Sequence, residues 1–192
     1  MRRERNFIGP AGMGGMVGLW GASSLIRSVQ RGTISTTATS ATATIAAVNT
    51  ANTVVVFLGM TQTQANVNLA VAIGRVTLTN ATTITATLGA NAGTAVFSYE
   101  VIEYQPGVIK SVQLGTVAVA GNASATATVT AVDTNKSCTV MLGWSIGTVA
   151  APTADQFAMN TVLTNATTIT ATRAIADANN SITVGFLLVE FF

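Results

Sequence analysis

The chain has 192 residues, of which 49% are hydrophobic and 8% charged, and its formal net charge is +2. An average soluble domain has roughly 25% charged residues, so this composition does not resemble an enzyme surface and favours a β-rich particle that hides much of its surface against neighbours. Three of the nine basic residues are Arg2, Arg3 and Arg5. The rest of the chain has no basic stripe with interleaved aromatic residues, and we therefore expect no nucleic-acid partner.

Residues 1–24 differ in composition from the rest of the chain. A basic start followed by an apolar stretch is typical of a signal peptide, but Pro10 and six glycines between positions 9 and 21 make a poor helix and a poor membrane span. We predict an extended N-terminal arm that anchors the chain in an assembly; the alternative is a leader that packs on its own first domain. The candidate assembly contacts are Phe7, Ile8, Met13, Met16, Leu19 and Trp20.

The remainder of the chain carries one sequence twice. The segment IRSVQRGTI at 26–34 returns as IKSVQLGTV at 109–117, and LTNATTITAT at 78–87 returns letter for letter at 163–172. We infer a duplicated unit, with one β-domain at 25–105, a second at 106–192, and Pro106-Gly107 as a tight connection between them.

Short runs that alternate threonine with small apolar residues indicate half-buried antiparallel strands separated by Asn- and Gly-rich turns. The strands predicted for the first copy cover 26–37, 41–48, 53–60, 66–78, 81–88 and 95–104. Those predicted for the second copy cover 109–119, 124–132, 137–144, 155–164, 166–173 and 181–191. No segment has the pattern of an amphipathic helix. The fold class predicted is all-β, with two tandem antiparallel β-sandwich-like or small barrel domains after the arm.

The two copies differ most near 60–70 and 144–156, and variable connections on a constant framework are where binding specificity is expected. Trp144 lies at the start of the second of these stretches. Tryptophan is enriched at binding hot spots, so Trp144 is a candidate contact with a ligand or partner. The alternative, with equal support, is that its side chain caps the core of its own copy.

Residues that carry chemistry are few. The chain has no histidine, the commonest general base and metal ligand. Its one cysteine, Cys138, lies in an apolar strand-like run and is predicted to be a small buried hydrophobic residue. Glu103 and Glu190 occupy the same place in the two copies, each before an aromatic residue, which indicates a structural role. With no nucleophile motif and no phosphate loop, we predict no enzyme, no cofactor and no metal site.

The phrase IKSVQ-x-GT, the Thr/Ala-rich strands, the segment AVDTNKS and a closing Val-Glu-Phe resemble modules of tailed-bacteriophage and prophage virion proteins. The resemblance covers both copies, although Asn49 to Thr53 of the first copy depart from Asp133 to Ser137 of the second. It implies small β-domains of tail, fibre or capsid-associated proteins, and it brings no catalytic residues.

Residues and resemblance together predict a non-enzymatic virion structural protein, assembled in the host cytoplasm and forming part of the tail or a capsid-associated decoration. We expect a homo-oligomer that contacts other virion proteins through the arm and has no membrane span. The alternative is a receptor or adhesin module that binds a host-surface glycan.

Overall fold

A computed structural model describes residues 24–63, 69–90, 93–147 and 154–192. In these ranges the protein is all-β, every strand pairing is antiparallel, and the sheets curl as a half-barrel. Neither helix of these ranges has the length or the apolar run that a membrane crossing would need.

The two copies of the repeat, copy one at 25–105 and copy two at 106–192, contribute six strands each. The elements of copy one are β1 (Ile26–Thr36), β2 (Ser40–Thr44), a 3-10 turn (Thr50–Asn52), β3 (Thr53–Gln62), α1 (Leu69–Ala72), β4 (Gly74–Asn80), β5 (Thr83–Leu88) and β6 (Ala95–Tyr104). Those of copy two are β7 (Ile109–Ala120), β8 (Ser124–Thr128), β9 (Ser137–Ile146), α2 (Ala154–Phe157), β10 (Asn160–Asn165), β11 (Thr168–Thr172) and β12 (Ser181–Phe191).

All twelve predicted strands have a counterpart, but four of them begin or end at least four residues away from the predicted bounds. The strands predicted at 66–78 and 155–164 begin only at Gly74 and Asn160, because a single helical turn precedes each of them. The predicted strand starts at 66 and 155 are therefore wrong, although neither four-residue helix is long enough to show an amphipathic pattern. Leu69-Ala70-Val71-Ala72 is rich in good helix formers, and the Val71 carbonyl at its end accepts a hydrogen bond of 2.9 Å from the Gln62 side chain.

The strands predicted at 41–48 and 124–132 end at Thr44 and Thr128. Beyond these residues the backbone leaves the sheet but remains tied to the neighbouring turn. In copy one the Ile45 and Val48 N–H groups donate to Thr82 and Ala81 carbonyls at 2.9 and 3.0 Å, and copy two repeats both contacts. The alternating pattern therefore continues past the residues that form a ladder.

Each copy builds the same two three-stranded arrangements. Copy one has β1-β6-β3 and β2-β5-β4, and copy two has β7-β12-β9 and β8-β11-β10. Strand β4 of copy one lies beside β9 of copy two, which joins two of these arrangements into the six-stranded sheet β2-β5-β4-β9-β12-β7. The division into domains at 25–105 and 106–192 stays a prediction.

A β-bulge interrupts the same place in each copy. The ladder shifts at Leu58-Gly59 in β3 and at Leu142-Gly143 in β9. Both glycines have positive φ, 114° and 90°, a conformation that glycine adopts without the steric cost of a Cβ. The bulge turns Leu142 of copy two towards copy one.

Strand β12 is buried on both faces. On one face, Phe186 and Leu188 pack in the core of copy two; on the other, Leu187 and Val189 enter the core of copy one. Ile109 and Leu142 of copy two also lie in the copy-one core. The copies therefore share apolar packing as well as a sheet.

We expect Leu187→Ala to lower the free energy of unfolding by about 2–5 kcal/mol, because the side chain is 1% exposed and its removal leaves a cavity between the copies. Urea unfolding followed by circular dichroism measures the change. Leu114→Ala, at an exposed position of the same face, is the matched control and should cost less than about 1 kcal/mol. Equal losses in the two variants would contradict the shared packing.

Candidate functional site

The buried carboxylate of copy one holds three segments together. Glu103 lies inside β6, and its Oε1 accepts hydrogen bonds from the Arg27 guanidinium and from the Asn49 backbone N–H, both at 3.0 Å. Its Oε2 accepts a longer bond of 3.3 Å from the Ser28 hydroxyl. The start of β1, the turn before the 3-10 turn and the end of β6 meet at this one group.

Copy two has the same arrangement at the equivalent positions, with Lys110 in place of Arg27 and Asp133 in place of Asn49. The Glu190 Oε1 accepts from the Lys110 ammonium at 2.8 Å and from the Asp133 N–H at 2.9 Å, and Oε2 accepts from Ser111 at 3.4 Å. The hydrogen bond from Lys110, followed by that from Asp133, holds the pKa of the Glu190 carboxyl below its ordinary value, although desolvation alone would raise it. The recurrence of glutamate in the two copies is thus explained by hydrogen bonding within the fold.

The glutamine of the repeated Ser-Val-Gln motif makes a second set of equivalent contacts. The Gln30 amide donates to the Ala46 carbonyl at 3.0 Å and accepts from the Ala46 N–H at 2.7 Å. Gln113 makes the same pair with Thr130, at 2.9 and 2.7 Å. The side chain therefore replaces the ladder that the backbone loses when it leaves the sheet after β2 and β8.

Two buried charged residues, Arg173 and Asp177, have no charged counterpart in copy one. Arg173 takes the place of Leu88 at the end of the duplicated strand, and it is almost fully buried. Among the described residues, its guanidinium donates to backbone carbonyls. The acceptors are Asn122 at 2.8 Å, Asp177 at 2.9 Å, Asn180 at 3.2 Å and Gln156 at 3.3 Å. Arg173 thereby ties α2, the β7–β8 turn and the loop before β12 to one point.

Asp177 completes this cluster. Its carboxylate accepts from the Asn180 side-chain amide and, at 2.9 Å, from the Asn179 N–H. The Asn180 hydrogen bond is the main cause that lowers the pKa of Asp177. An open pocket of about 340 Å³ borders the cluster and is lined by Ala158, Met159, Asn160, Thr172, Arg173 and Ala174. Because the Arg173 guanidinium already donates to backbone carbonyls, the groups that line this pocket and could contact a ligand are mainly apolar side chains and backbone atoms.

A narrower groove of about 280 Å³ marks the contact between the copies. Its walls are Thr50, Ala51, Thr53 and Leu78 of copy one, with Val112, Leu114 and Leu187 of copy two. Beside it the two backbones approach so closely that a Cβ on Gly143 would lie 2.3 Å from the Gly74 carbonyl oxygen. Burial in this contact lowers the pKa of the Arg75 guanidinium.

The structure separates the sequence-predicted site residues. The arm contacts Phe7, Ile8, Met13, Met16, Leu19 and Trp20 lie outside the described residues. Trp144 lies within β9 rather than in the loop that follows it, is partly buried, and packs against the core of copy two. Its indole nitrogen is buried and has no hydrogen-bond acceptor among the described residues.

The prediction that Cys138 is buried is wrong. Cys138 lies in β9 and is exposed, while its counterpart Val54 in β3 is buried. The physical reason is that Val54 belongs to the core cluster that Leu142 and Leu187 of copy two enter, whereas the chain has no third copy to do the same at Cys138. Partial desolvation by neighbouring groups raises the pKa of the Cys138 thiol.

Sequence reasoning missed Arg173 and the contact between the copies. The signal for Arg173 is one substitution, arginine for leucine, directly after ten identical letters. The signal for the contact is the unbroken apolar run Phe186 to Val189, which copy one interrupts with Glu100. Comparison of the chain with protein-family models, curated proteins and solved structures found no match.

We expect Glu190→Gln to destabilise the fold most at neutral pH. The folded pKa of Glu190 is depressed, so the carboxylate contributes its full stabilisation above the ordinary value of 4.5 and loses it as the pH falls through the folded value. The difference in unfolding midpoint between wild type and variant should therefore shrink below pH 4.5, as measured by thermal unfolding across a pH series. Glu100→Gln, at a solvent-facing ion pair with Arg31, is the control and should change the midpoint little. A deficit that is the same at every pH would contradict this role of the charge.

We expect Arg173→Leu, which restores the residue of copy one, to cost about 3 kcal/mol, because it leaves buried carbonyls without a donor. Hydrogen exchange should accelerate locally, in α2 and in 174–180. Arg31→Leu, at an exposed arginine, is the control. A neutral effect of Arg173→Leu would show that water replaces the guanidinium without loss.

Proposed function

We propose that this protein is a non-enzymatic structural protein of a bacteriophage virion, a homo-oligomer that forms part of the tail or a capsid-associated decoration. In this proposal the N-terminal arm anchors the chain to other virion proteins, and assembly takes place in the host cytoplasm.

The observation that carries the proposal is the apolar outer face of β1-β6-β3. Ile26, Val29 and Leu58 are exposed on this face or at its bulge, and Leu25 is exposed directly before it. Exposed apolar side chains that share one sheet face favour an interaction surface. In a chain with 8% charged residues, this face supports a protein that works inside an assembly.

The use of the carboxylates supports a non-enzymatic role. Glu103 and Glu190 each accept three hydrogen bonds that connect strands, and Asp177 accepts two within its own loop. A general acid or base must exchange protons with a substrate, whereas these groups are committed to holding the backbone. The sequence resemblance to tailed-phage virion modules gives the proposal its biological setting.

The alternative, a receptor for a host-surface glycan, has less support. Trp144 is its candidate contact, and that side chain is partly buried against the core of copy two. Both readings place the chain on the outside of a particle, so the particle itself provides the test.

Mass spectrometry of purified tailed particles from the source culture should find the chain in many copies, with antibody labelling at one location on each particle. A chain that lacks residues 1–22 should fold with an unchanged circular dichroism spectrum and fail to enter particles. Ile175→Ala, at an exposed position outside the arm, is the control and should still be incorporated. Absence of the chain from particles would contradict the function, and normal incorporation without residues 1–22 would contradict the arm.

A further inference from the structure

We infer that the outer face of β1-β6-β3 binds copy two of a second chain, so that chains join head to tail through the contact that already joins the two copies within one chain. This inference rests on the proposed homo-oligomer and names the surfaces that form it.

The contact within one chain is the template. Copy two contributes the outer face of β7-β12-β9, from which Ile109, Leu142 and Leu187 enter the copy-one core. Copy one contributes the groove wall near Thr50 and Leu78, together with the β4 edge at Gly74 and Arg75. The two surfaces are different, so the contact is heterologous.

The surface that copy two uses exists again on copy one, where its β1 side and the bulge are exposed. Leu58, the counterpart of Leu142, is 56% exposed, whereas Leu142 is 1% exposed. Ile26, the counterpart of Ile109, is 40% exposed against 4%. No described atom lies within 4 Å of a Cβ built on Gly59, the counterpart of Gly143. Copy one thus presents the same bulge and apolar face without a partner.

The copy-one surface that contacts copy two within the chain has a counterpart on copy two, and this counterpart is also exposed. Strand β10 is the counterpart of β4, and among the described strands it forms an edge that pairs only with β11. Val162 on this edge is exposed, and so is Cys138, the counterpart of the buried Val54. On the other molecule, β3 is the free edge that corresponds to β9. Edge strands with unpaired N–H and C=O groups are templates for pairing with another chain.

Residues that differ between the copies are polar on both surfaces of the proposed contact between chains. Arg31 and Glu100 of copy one replace Leu114 and Leu187, and they form an ion pair on the open face. Opposite them, Ala51 of the groove wall is replaced in copy two by Asn135. Both surfaces are more polar than their counterparts in the contact within one chain, so a polar amide meets a polar pair. A polar contact suits a surface that is exposed to water before association.

A heterologous contact of this kind gives a ring when the rotation between chains closes and a filament when it does not. In either case, each chain uses its copy-one face once and its copy-two face once. This property separates the proposal from a symmetric dimer, in which one surface of each chain meets itself.

The test uses the full chain and two charge-introducing variants, Leu58→Arg on the copy-one face and Val162→Arg on the copy-two edge. Both positions are exposed in the single chain, so the circular dichroism spectrum and unfolding midpoint should stay unchanged. In sedimentation velocity the wild-type mass should rise with concentration beyond two chains, while each variant alone remains monomeric. An equimolar mixture of the variants should form a dimer and nothing larger, because each retains the surface that the other lacks. Ile175→Asp, at an exposed apolar position outside both surfaces, is the matched control and should associate as wild type does.

Maleimide labelling of Cys138 gives a second readout. The thiol should react at least about tenfold more slowly in associated wild type than in Leu58→Arg, because the neighbouring chain covers it. Wild type that stays monomeric, as it would if the chain's own arm covered the face, would overturn the inference. Wild type that associates equally well with Leu58→Arg, or variant mixtures larger than two chains, would overturn it as well. These solution results are separate from the particle test, in which absence of the chain would overturn the proposed function.

Discussion

Strand β12 contributes buried side chains to two hydrophobic cores, and most of the architecture depends on this double packing. Phe186 and Leu188 point to one core, and Leu187 and Val189 to the other, all of them buried. Full burial of one such side chain contributes about 1.5–3 kcal/mol. Elsewhere many of the buried core residues are valines, which bury less area. A few large side chains at the contact between the copies therefore supply a substantial share of the driving force, and they explain why β4 and β9 are brought side by side.

The charged residues that the chain does have are used to fix register. Glu103 and Glu190 each join the first and last strands of their copy to the turn after the second strand, and their cation partners, Arg27 and Lys110, are more than half exposed. A buried carboxylate that lost these donors would be strongly destabilised, so a one-residue slip of the first strand is costly. In a sheet where threonine and alanine alternate monotonously, side-chain pattern alone specifies register weakly. The hydrogen bonds of Glu103 and Glu190 therefore specify the strand register that the alternating pattern leaves open.

The sequence predicts the strands well because the repeat and the period of two are local signals. It predicts neither where β4 and β10 begin nor the helical turns before them, because a helix of four residues is too short to show a helical period in the sequence. Cys138 shows a different limit. Its apolar neighbours indicate burial, but whether that face of β9 is covered depends on a second copy lying against it. Arg173 likewise becomes understandable only when the four carbonyls around its guanidinium are brought together by the fold.

A tandem repeat joined by a heterologous contact always leaves one half of that contact open at each end. An exposed apolar edge is an aggregation hazard unless it is blunted or filled. In this chain the open face of copy one carries Arg31 and Glu100 in place of two leucines, while Leu58 and the empty space at Gly59 are retained. If the face had only to stay in water, the apolar residues at the bulge would serve no purpose. If it had only to bind, the ion pair would weaken it. The combination is what a surface needs when it must remain soluble as a single chain and then accept a partner reversibly.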